Sequence, residues 1–154
     1  MQVFLVDINA SCLAELPVTS FEQATKRNVP ALKNGDLVHA RVTSAQTFIN
    51  PTLSCVDSNG KASGMGVLKM GCTARVSTAL ARALLSHPTH PVLAAIGKRI
   101  KFEAAIGLNG LIWIHAQNPK DAVLISRILM QCEGRDRTSA GVMCEQELTN
   151  QFNL

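Results

Sequence analysis

The N-terminal part of the chain alternates short apolar runs with turn-forming residues. Residues 3–8 (VFLVDI), 37–43 (LVHARVT) and 52–56 (TLSCV) are enriched in branched or aromatic side chains, so each run predicts a β-strand. Short strands separated by turns are typical of a small barrel or sheet. Residues 57–66 (DSNGKASGMG) then concentrate glycine and other turn formers, which predicts the connection between two domains.

The pattern changes after this glycine-rich segment, because apolar positions begin to recur at helical spacing. Val92, Ile96 and Ile100 follow one another every four residues, and Asn118-Pro119 is a typical helix start. The resulting order of strand, helix, helix, strand, strand and helix is that of a type I KH domain, an RNA-binding α+β fold. The predicted elements are a strand over 74–78, helices from Ser77 or Thr78 to Leu85 and from Pro91, a hairpin over 102–114, and a helix ending near Gly134.

Together these patterns predict a mixed β and α+β chain in three parts. Residues 1–58 form a barrel, residues 59–134 form the KH domain, and the polar residues 135–154 form a C-terminal tail with room for one helical turn. Hydrophobic residues make up 47% of the chain, enough for packed cores. No apolar run approaches the ~20 residues of a membrane span, and the N-terminus lacks a signal-peptide pattern.

The hairpin carries the chain's single tryptophan and a Gly-x-Asn-Gly string at Gly107 to Gly110. Asn109-Gly110 predicts a two-residue type I′ turn, which would place Ile106 opposite Trp113. KH domains clamp the RNA backbone with a GXXG loop between two helices, whereas this string lies between two strands. We therefore interpret it as a structural turn, with a phosphate clamp as the alternative. Trp113 is correspondingly interpreted as a packing residue rather than a base-stacking platform.

The charge distribution directs attention to the barrel. The net charge is +4 with only 4% aromatic residues and no tyrosine, so any RNA contact is expected to depend on lysine and arginine. Lys26-Arg27 lies in a loop between predicted strands, with Lys33 and Arg41 nearby in sequence. Barrels of the OB type bind oligonucleotides with such loops. The alternative for these residues is a set of solvated surface charges.

Other chemistry finds little support in the sequence. The five cysteines are odd in number, widely spaced and without a CxxC motif, which argues against a zinc ribbon or a disulfide framework and favours buried reduced thiols. His87 and His90 lie in a proline-rich loop without a third ligand nearby, so we expect no metal there. The acidic residues form no motif typical of a two-metal nuclease. We predict no catalytic residues, metal or cofactor.

Four long strings identify the chain as similar to a known family. They are ATKRN at 24–28, NGDLVHARV at 34–42, LSCVDSNGKASGMGVLKMG at 53–71 and FEAAIGLNGLIWIHA at 102–116. Together they resemble the ribosomal RNA-processing protein 40 family of eukaryotic RNA exosome cap subunits. The resemblance extends to about Gly134. It implies an S1-type OB barrel without its opening strand, then a KH domain, with an N-terminal domain of the family absent.

The same resemblance implies a function without catalysis. Cap subunits of this kind sit on a six-membered ring and help to guide single-stranded RNA into it, while associated ribonucleases degrade the RNA in the 3′-to-5′ direction. The implied partners are ring subunits, other cap subunits and single-stranded RNA, with no membrane. The implied location is the nucleus, including the nucleolus, and the cytoplasm. Two alternatives stay open: a structural adaptor that binds only protein, and the paralogous family of ribosomal RNA-processing protein 4.

The family's basic barrel loop corresponds to Lys26-Arg27-Asn28, so these two charges are the RNA contacts that the resemblance implies. The chain departs from the family at several neighbouring points. Val29 stands where relatives commonly have arginine, and His39 stands where they have tyrosine. Leu111 and His115 stand where relatives often have a basic residue. Each departure removes a charge or a ring from a possible RNA surface, so we expect weak RNA affinity.

Overall fold

The computed structural model describes residues 2–86 and 88–152. The chain divides into two compact units, Met1–Lys69 and Met70–Leu154, the first built from strands and the second from strands and helices. The mixed β and α+β class predicted from the sequence is therefore confirmed. The strands of the first unit are β1 (Val3–Val6), β2 (Ala14–Pro17), β3 (Leu37–His39), β4 (Arg41–Gln46), β5 (Ile49–Ser54) and β6 (Gly66–Leu68).

The strands of the first unit form two sheets around one hydrophobic core. β1, β2, β5 and β4 lie side by side in that order, and β3 pairs antiparallel with β6. Leu16 and Leu53 of the larger sheet are buried, and Val38 and Val67 of the smaller sheet pack against the same cluster. Among the described residues the two sheets do not join into one closed ladder. The predicted barrel therefore takes the form of two sheets that share a core.

Two strands of this unit, β2 and β6, are not predicted from the sequence. One of them places the domain boundary later in the chain than predicted. β2 lies between β1 and β5, with Ala14 and Leu16 fully buried, although alanine and proline are poor strand formers in general. β6 begins at Gly66, the last residue of the glycine-rich segment 57–66, and pairs with β3. That segment is thus a loop within the first unit. The boundary lies after Lys69 rather than after residue 58.

The second unit begins with the predicted KH order. Its three strands form an antiparallel sheet with β9 in the centre, flanked by β7 and β8. The hydrophobic core of the unit contains residues of this sheet and of all four helices. The elements are β7 (Cys72–Arg75), α1 (Thr78–Leu85), α2 (Pro91–Arg99), β8 (Phe102–Ile106), β9 (Leu111–Ala116), α3 (Pro119–Gln131) and α4 (Arg137–Phe152).

The first two helices are capped by side chains that the sequence places at their starts. The Ser77 Oγ atom accepts a hydrogen bond of 3.1 Å from the Leu80 amide. His90 is buried, and its Nδ1 atom accepts a bond of 3.3 Å from the Val92 amide. Burial, and then the charge of Arg137, lower the pKa of His90, which keeps Nδ1 free to accept. His90 therefore serves as a helix cap, whereas His87 lies outside the described residues.

The segment predicted as a polar tail contains helix α4 instead. α4 spans 16 residues, and its Ala140, Cys144 and Leu148 side chains are buried in the core of the second unit. Gly141 lies close to Pro91, the first residue of α2. The helical periodicity is weak in the sequence because three of the four inward positions are small residues. No helix in the described part of the chain is both long and apolar enough to cross a membrane.

Three of the five cysteines are buried thiols, as the sequence predicts. Burial raises the pKa of Cys55 and Cys132 to about 11 and that of Cys144 to about 12, so these thiols stay protonated at neutral pH. Cys72 is half-buried, and its Sγ atom donates to the Ala122 carbonyl oxygen at 3.4 Å. Cys12, in contrast to the prediction, is exposed.

Candidate nucleic-acid interface

Lys26 and Arg27 lie at the tip of a closed four-residue turn. The Thr25 and Asn28 backbones exchange two hydrogen bonds, of 3.2 and 3.1 Å, and the Thr25 hydroxyl accepts a third from the Asn28 amide at 3.0 Å. Both basic residues are exposed. Within residues 2–86 and 88–152 neither side chain forms a hydrogen bond or an ion pair. The turn thus holds two adjacent positive charges outward with no internal partner.

Lys33 and Arg41 belong to two different local structures. Lys33 begins a turn in which its amide donates to the Asp36 carboxylate at 2.8 Å, and its side chain is exposed. Arg41 begins β4, and its Nε atom donates to the Val56 carbonyl oxygen at 2.9 Å. The structure therefore joins Lys26 to Arg27 in one turn, keeps Lys33 in a separate turn and gives Arg41 a bond within the protein.

Asp57 organises the loop that follows Val56. Its carboxylate accepts bonds from the Asn59 amide at 2.8 Å, the Lys61 amide at 2.9 Å and the Ser63 hydroxyl at 2.8 Å. The bonds from Lys61 and Ser63 contribute most to lowering the pKa of Asp57, and the charge of Arg41 lowers it further. Arg41 thus donates to a carbonyl oxygen and interacts electrostatically with a carboxylate of the protein, which makes this arginine a weaker candidate for phosphate than Lys26 or Arg27.

The GxNG turn, defined as residues Gly107 to Gly110, has a different register from the predicted one. The Gly107 amide donates to Leu111 O at 2.9 Å and the Gly110 amide donates to Gly107 O at 3.1 Å. Only Gly110 has a positive φ, of 85°, so the loop is a three-residue connection and not a type I′ turn. As a result Trp113 pairs with Ala105, and Ile106 pairs with Ile112. The predicted pairing of Ile106 with Trp113 is wrong.

Local contacts explain why the GxNG turn has glycine at positions 107 and 110 and asparagine at position 109. A Cβ atom on Gly110 would collide with the Val76 carbonyl oxygen, and the Val76 amide donates to Gly110 O at 2.8 Å. A Cβ atom on Gly107 would collide with the Asn109 side chain. Asn109 Oδ1 accepts from the Leu111 amide at 3.3 Å. These contacts support the structural interpretation of the string over the phosphate clamp.

The loop between α1 and α2 is the place where a KH domain carries its GXXG clamp. Here the loop accepts hydrogen bonds from Arg137, the first residue of α4. The Arg137 guanidinium donates to the Pro88 carbonyl oxygen, to the Thr89 carbonyl oxygen at 3.0 Å and to Ser86 Oγ at 3.5 Å. The sequence of this loop has no glycine. The described part of the loop thus directs carbonyl oxygens towards a cation of the protein rather than amides towards a phosphate.

Trp113 lies on the sheet face opposite the core of the second unit. Its Nε1 atom donates to the Met70 carbonyl oxygen at 2.6 Å, and its ring is stacked on that of His115. His115 and Arg75 share this face but are not among the RNA contacts predicted from the sequence. Arg75 is placed there by the pairing of β7 with β9, which joins residues far apart in the chain. Within the described residues no group of three or more histidine, cysteine or acidic side chains could hold a metal ion.

Comparison with known proteins assigns both units. Residues 1–66 match the family model of the S1 domain of exosome complex component RRP40, and residues 71–120 match the model of a KH domain. A crystal structure of a protein assigned as an exosome complex RNA-binding protein aligns with a TM-score of 0.71, over 97% of this chain and 87% of that one. Its 18% sequence identity makes that likeness evidence for the fold alone.

The curated relatives are named after the same exosome component as the family model that matches residues 1–66. Exosome complex component RRP40 of Drosophila melanogaster is 40% identical over 131 residues, which are 85% of this chain and 56% of that protein. The Homo sapiens protein of that name is 37% identical over 132 residues, 85% of this chain and 48% of the relative. The chain thus spans about half the length of the curated relatives it matches. Residues 1–66 therefore carry the S1 domain of the exosome component RRP40 (ribosomal RNA-processing protein 40) family, and residues 71–120 carry a KH domain.

Proposed function

We propose that this chain is the RNA-binding S1–KH part of a non-catalytic exosome cap subunit that helps to guide single-stranded RNA into the ring for 3′-to-5′ processing and degradation. The match to the RRP40 S1 domain and the relatives named RRP40 support the proposed place in the exosome. The closed turn at Thr25–Asn28 is the observation on which the proposed RNA binding rests. Lys26 and Arg27 extend from this turn without an internal partner among the described residues. They can therefore contact phosphates without first breaking an ion pair, and the turn geometry limits the entropy lost on binding.

The test is a fluorescence-anisotropy titration of a labelled single-stranded RNA of about ten nucleotides. Changing Lys26→Ala and Arg27→Ala together should weaken binding roughly tenfold at low salt, because two phosphate contacts are lost. The matched control is Lys98→Ala with Lys101→Ala, which removes the same charge from exposed positions of the other unit. Charge-preserving exchange, Lys26→Arg with Arg27→Lys, should retain most of the affinity.

Equal affinity of the Lys26→Ala, Arg27→Ala variant and the unchanged chain would contradict the assignment, provided that circular dichroism shows both folded. An equal loss in the Lys98→Ala, Lys101→Ala control would also contradict it. That result would indicate diffuse attraction to the whole positive surface instead of a contact at the turn.

The absence of catalysis is tested separately. The purified chain, incubated with end-labelled single-stranded RNA and Mg²⁺ or Mn²⁺, should leave the RNA at its original length. Progressive shortening that follows the protein through purification would contradict the non-catalytic assignment.

A protein-only structural adaptor is the second candidate, and the β4–β5 hairpin favours it. Phe48 is 97% exposed and Ile49 64% exposed at the hairpin, with Val42 54% exposed on β4. Exposed apolar groups of this kind often mark protein interfaces. An adaptor would bring ring and other cap subunits with it from a cell extract yet show no RNA binding at low salt. For either function we propose the nucleus, including the nucleolus, and the cytoplasm as locations.

A further inference from the structure

The KH sheet has one face outside the hydrophobic core of its unit. Along β9, Ile112, Ile114 and Ala116 are buried in that core. Because successive strand side chains alternate between faces, Trp113 and His115 lie on the opposite face. Neither is among the described residues that form or line the core. Core packing therefore does not account for the chain's single tryptophan.

The two rings on this face are held in a parallel arrangement. The Trp113 and His115 ring planes differ by 17°, and their centroids are 6.0 Å apart. The bond from Trp113 Nε1 to the Met70 carbonyl oxygen, 2.6 Å long, fixes the indole by its polar edge. This bond uses the one hydrogen-bonding group of the indole and does not involve the π-face. Both side chains are half-buried, so part of each ring surface is accessible.

The cross-strand neighbours of Trp113 leave space beside the indole. In the sheet register Trp113 pairs with Thr73 on β7 and with Ala105 on β8, both small residues. A nucleobase that stacks on the indole needs space on its cross-strand sides. The register leaves that space at Thr73 and Ala105, whereas His115 lies beside Trp113 along the same strand.

Charges on the same face are placed on two sides of the rings. Arg75 lies on β7 next to Leu111, is exposed, and forms no hydrogen bond or ion pair within the described residues. Glu103 lies on β8 opposite His115. A negatively charged backbone is attracted to the β7 side by Arg75 and repelled from the β8 side by Glu103.

We propose that Trp113 and His115 form a base-stacking platform for single-stranded RNA, with Arg75 as its phosphate contact. Stacking on aromatic side chains is how many single-strand binders hold bases without reading sequence. The platform rests on the proposed function in that the chain must bind single-stranded RNA. It adds a contact in the KH unit that is separate from the α1–α2 loop, which Arg137 holds closed with its bonds to Pro88 and Thr89.

The single tryptophan makes the platform directly observable. Trp113 emission is followed while oligouridine or oligoadenine is added to the full chain, with inorganic polyphosphate as a probe that carries charge but no bases. Stacking should quench the emission saturably with either RNA, whereas polyphosphate should leave it unchanged. The quenching should decrease in His115→Ala and in Arg75→Ala, and persist in Arg82→Ala, which removes an exposed arginine from α1.

Affinity measurements give the second readout. Labelled RNA titrated into Trp113→Leu should bind about five- to a hundredfold more weakly than to the unchanged chain, while Trp113→Phe, which keeps a ring, should lose much less. Circular dichroism establishes that each variant is folded. Agreement between the quenching and the ring dependence supports the platform.

Three outcomes would overturn the platform. RNA binding that leaves Trp113 emission unchanged and is equally tight in Trp113→Leu would remove it while leaving the contact at Lys26 and Arg27 in place. Equal quenching by polyphosphate and RNA would show an effect of charge alone. No RNA binding at low salt by the folded chain would overturn both the platform and the proposed function.

Discussion

Gly110 meets two constraints that a residue with a side chain cannot meet together. Its φ of +85° is unfavourable for any residue with a Cβ atom, and that atom would also collide with the Val76 carbonyl oxygen. The Val76 amide in turn bonds to Gly110 O, so the hairpin is attached at this point to the segment before α1. Gly110 is therefore the residue of the GxNG turn that attaches the hairpin to the segment before α1.

Replacing this glycine should destabilise the chain. Gly110→Ala is expected to lower the free energy of unfolding by at least about 1–2 kcal/mol, from the left-handed backbone conformation alone. Gly97→Ala is the matched control, because Gly97 lies inside α2 with open space where the added methyl group would lie, and it should gain up to about 1 kcal/mol. Urea unfolding followed by Trp113 emission measures both. Unchanged stability with reduced RNA affinity in Gly110→Ala would instead support the phosphate clamp.

Asp57 offers a residue-scale test through pH. Its hydrogen bonds to the Lys61 amide and the Ser63 hydroxyl lower its pKa in the folded state. The contribution of the carboxylate to the loop is therefore complete above the ordinary aspartate pKa of about 3.9 and is lost as the pH falls through the lowered value. The amide resonances of Asn59 and Lys61 should titrate with a midpoint below about 3.9 in NMR spectra of the folded chain. A midpoint at or above that value would contradict the assigned bonds.

At the scale of elements, the accuracy of the sequence prediction depends on how each element is buried. α1 and α2 carry large apolar residues at helical spacing and side-chain caps at Ser77 and His90, and both are found where the sequence predicts them. α4 is buried largely through small residues such as Ala140, which carry little hydrophobic signal, and β2 contains alanine and proline, which are poor strand formers. Their burial depends on residues that are distant in sequence and close in space, so it cannot be predicted from the local pattern of apolar residues.

Helix α4 should prove to be part of the KH unit. Leu148→Ala is expected to cost about 2–5 kcal/mol, because Leu148 is 1% exposed and its truncation leaves a cavity. Val142→Ala on the same helix is the control: Val142 is 53% exposed, so its change should stay within about 0.5 kcal/mol. Thermal unfolding of the two variants compares them. Equal stabilities would mean that residues 137–152 are a dispensable tail, as the sequence pattern suggests.

The candidate site is only partly accessible to sequence reasoning for a related reason. The exposed pair Lys26-Arg27 is local, so its charge and its turn are visible in the sequence. The bond from Arg41 to Val56 spans 15 residues and depends on how β4 meets the end of β5. The face of Trp113 depends on a hairpin register that shifts by one residue when Asn109 keeps a negative φ.

At the scale of the whole molecule, the two units have separate cores and different candidate RNA contacts. The first unit presents a cation pair suited to phosphates, and the second presents a pair of rings suited to bases. With a net charge of +4, nonspecific attraction to RNA is expected in addition to either contact. A test of the two contacts must therefore separate local phosphate binding from the overall charge.

Measuring the RNA affinity at several salt concentrations distinguishes local phosphate binding from the effect of the overall charge most directly. For single-stranded RNA the slope of log affinity against log salt is about −0.7 for each phosphate neutralised, so the loss of Lys26 and Arg27 should make the slope less steep by about 1.4. The Lys98→Ala, Lys101→Ala control should keep the slope of the unchanged chain. A slope that is the same with and without Lys26 and Arg27 would contradict the central claim, that the turn at Thr25–Asn28 contacts the RNA backbone.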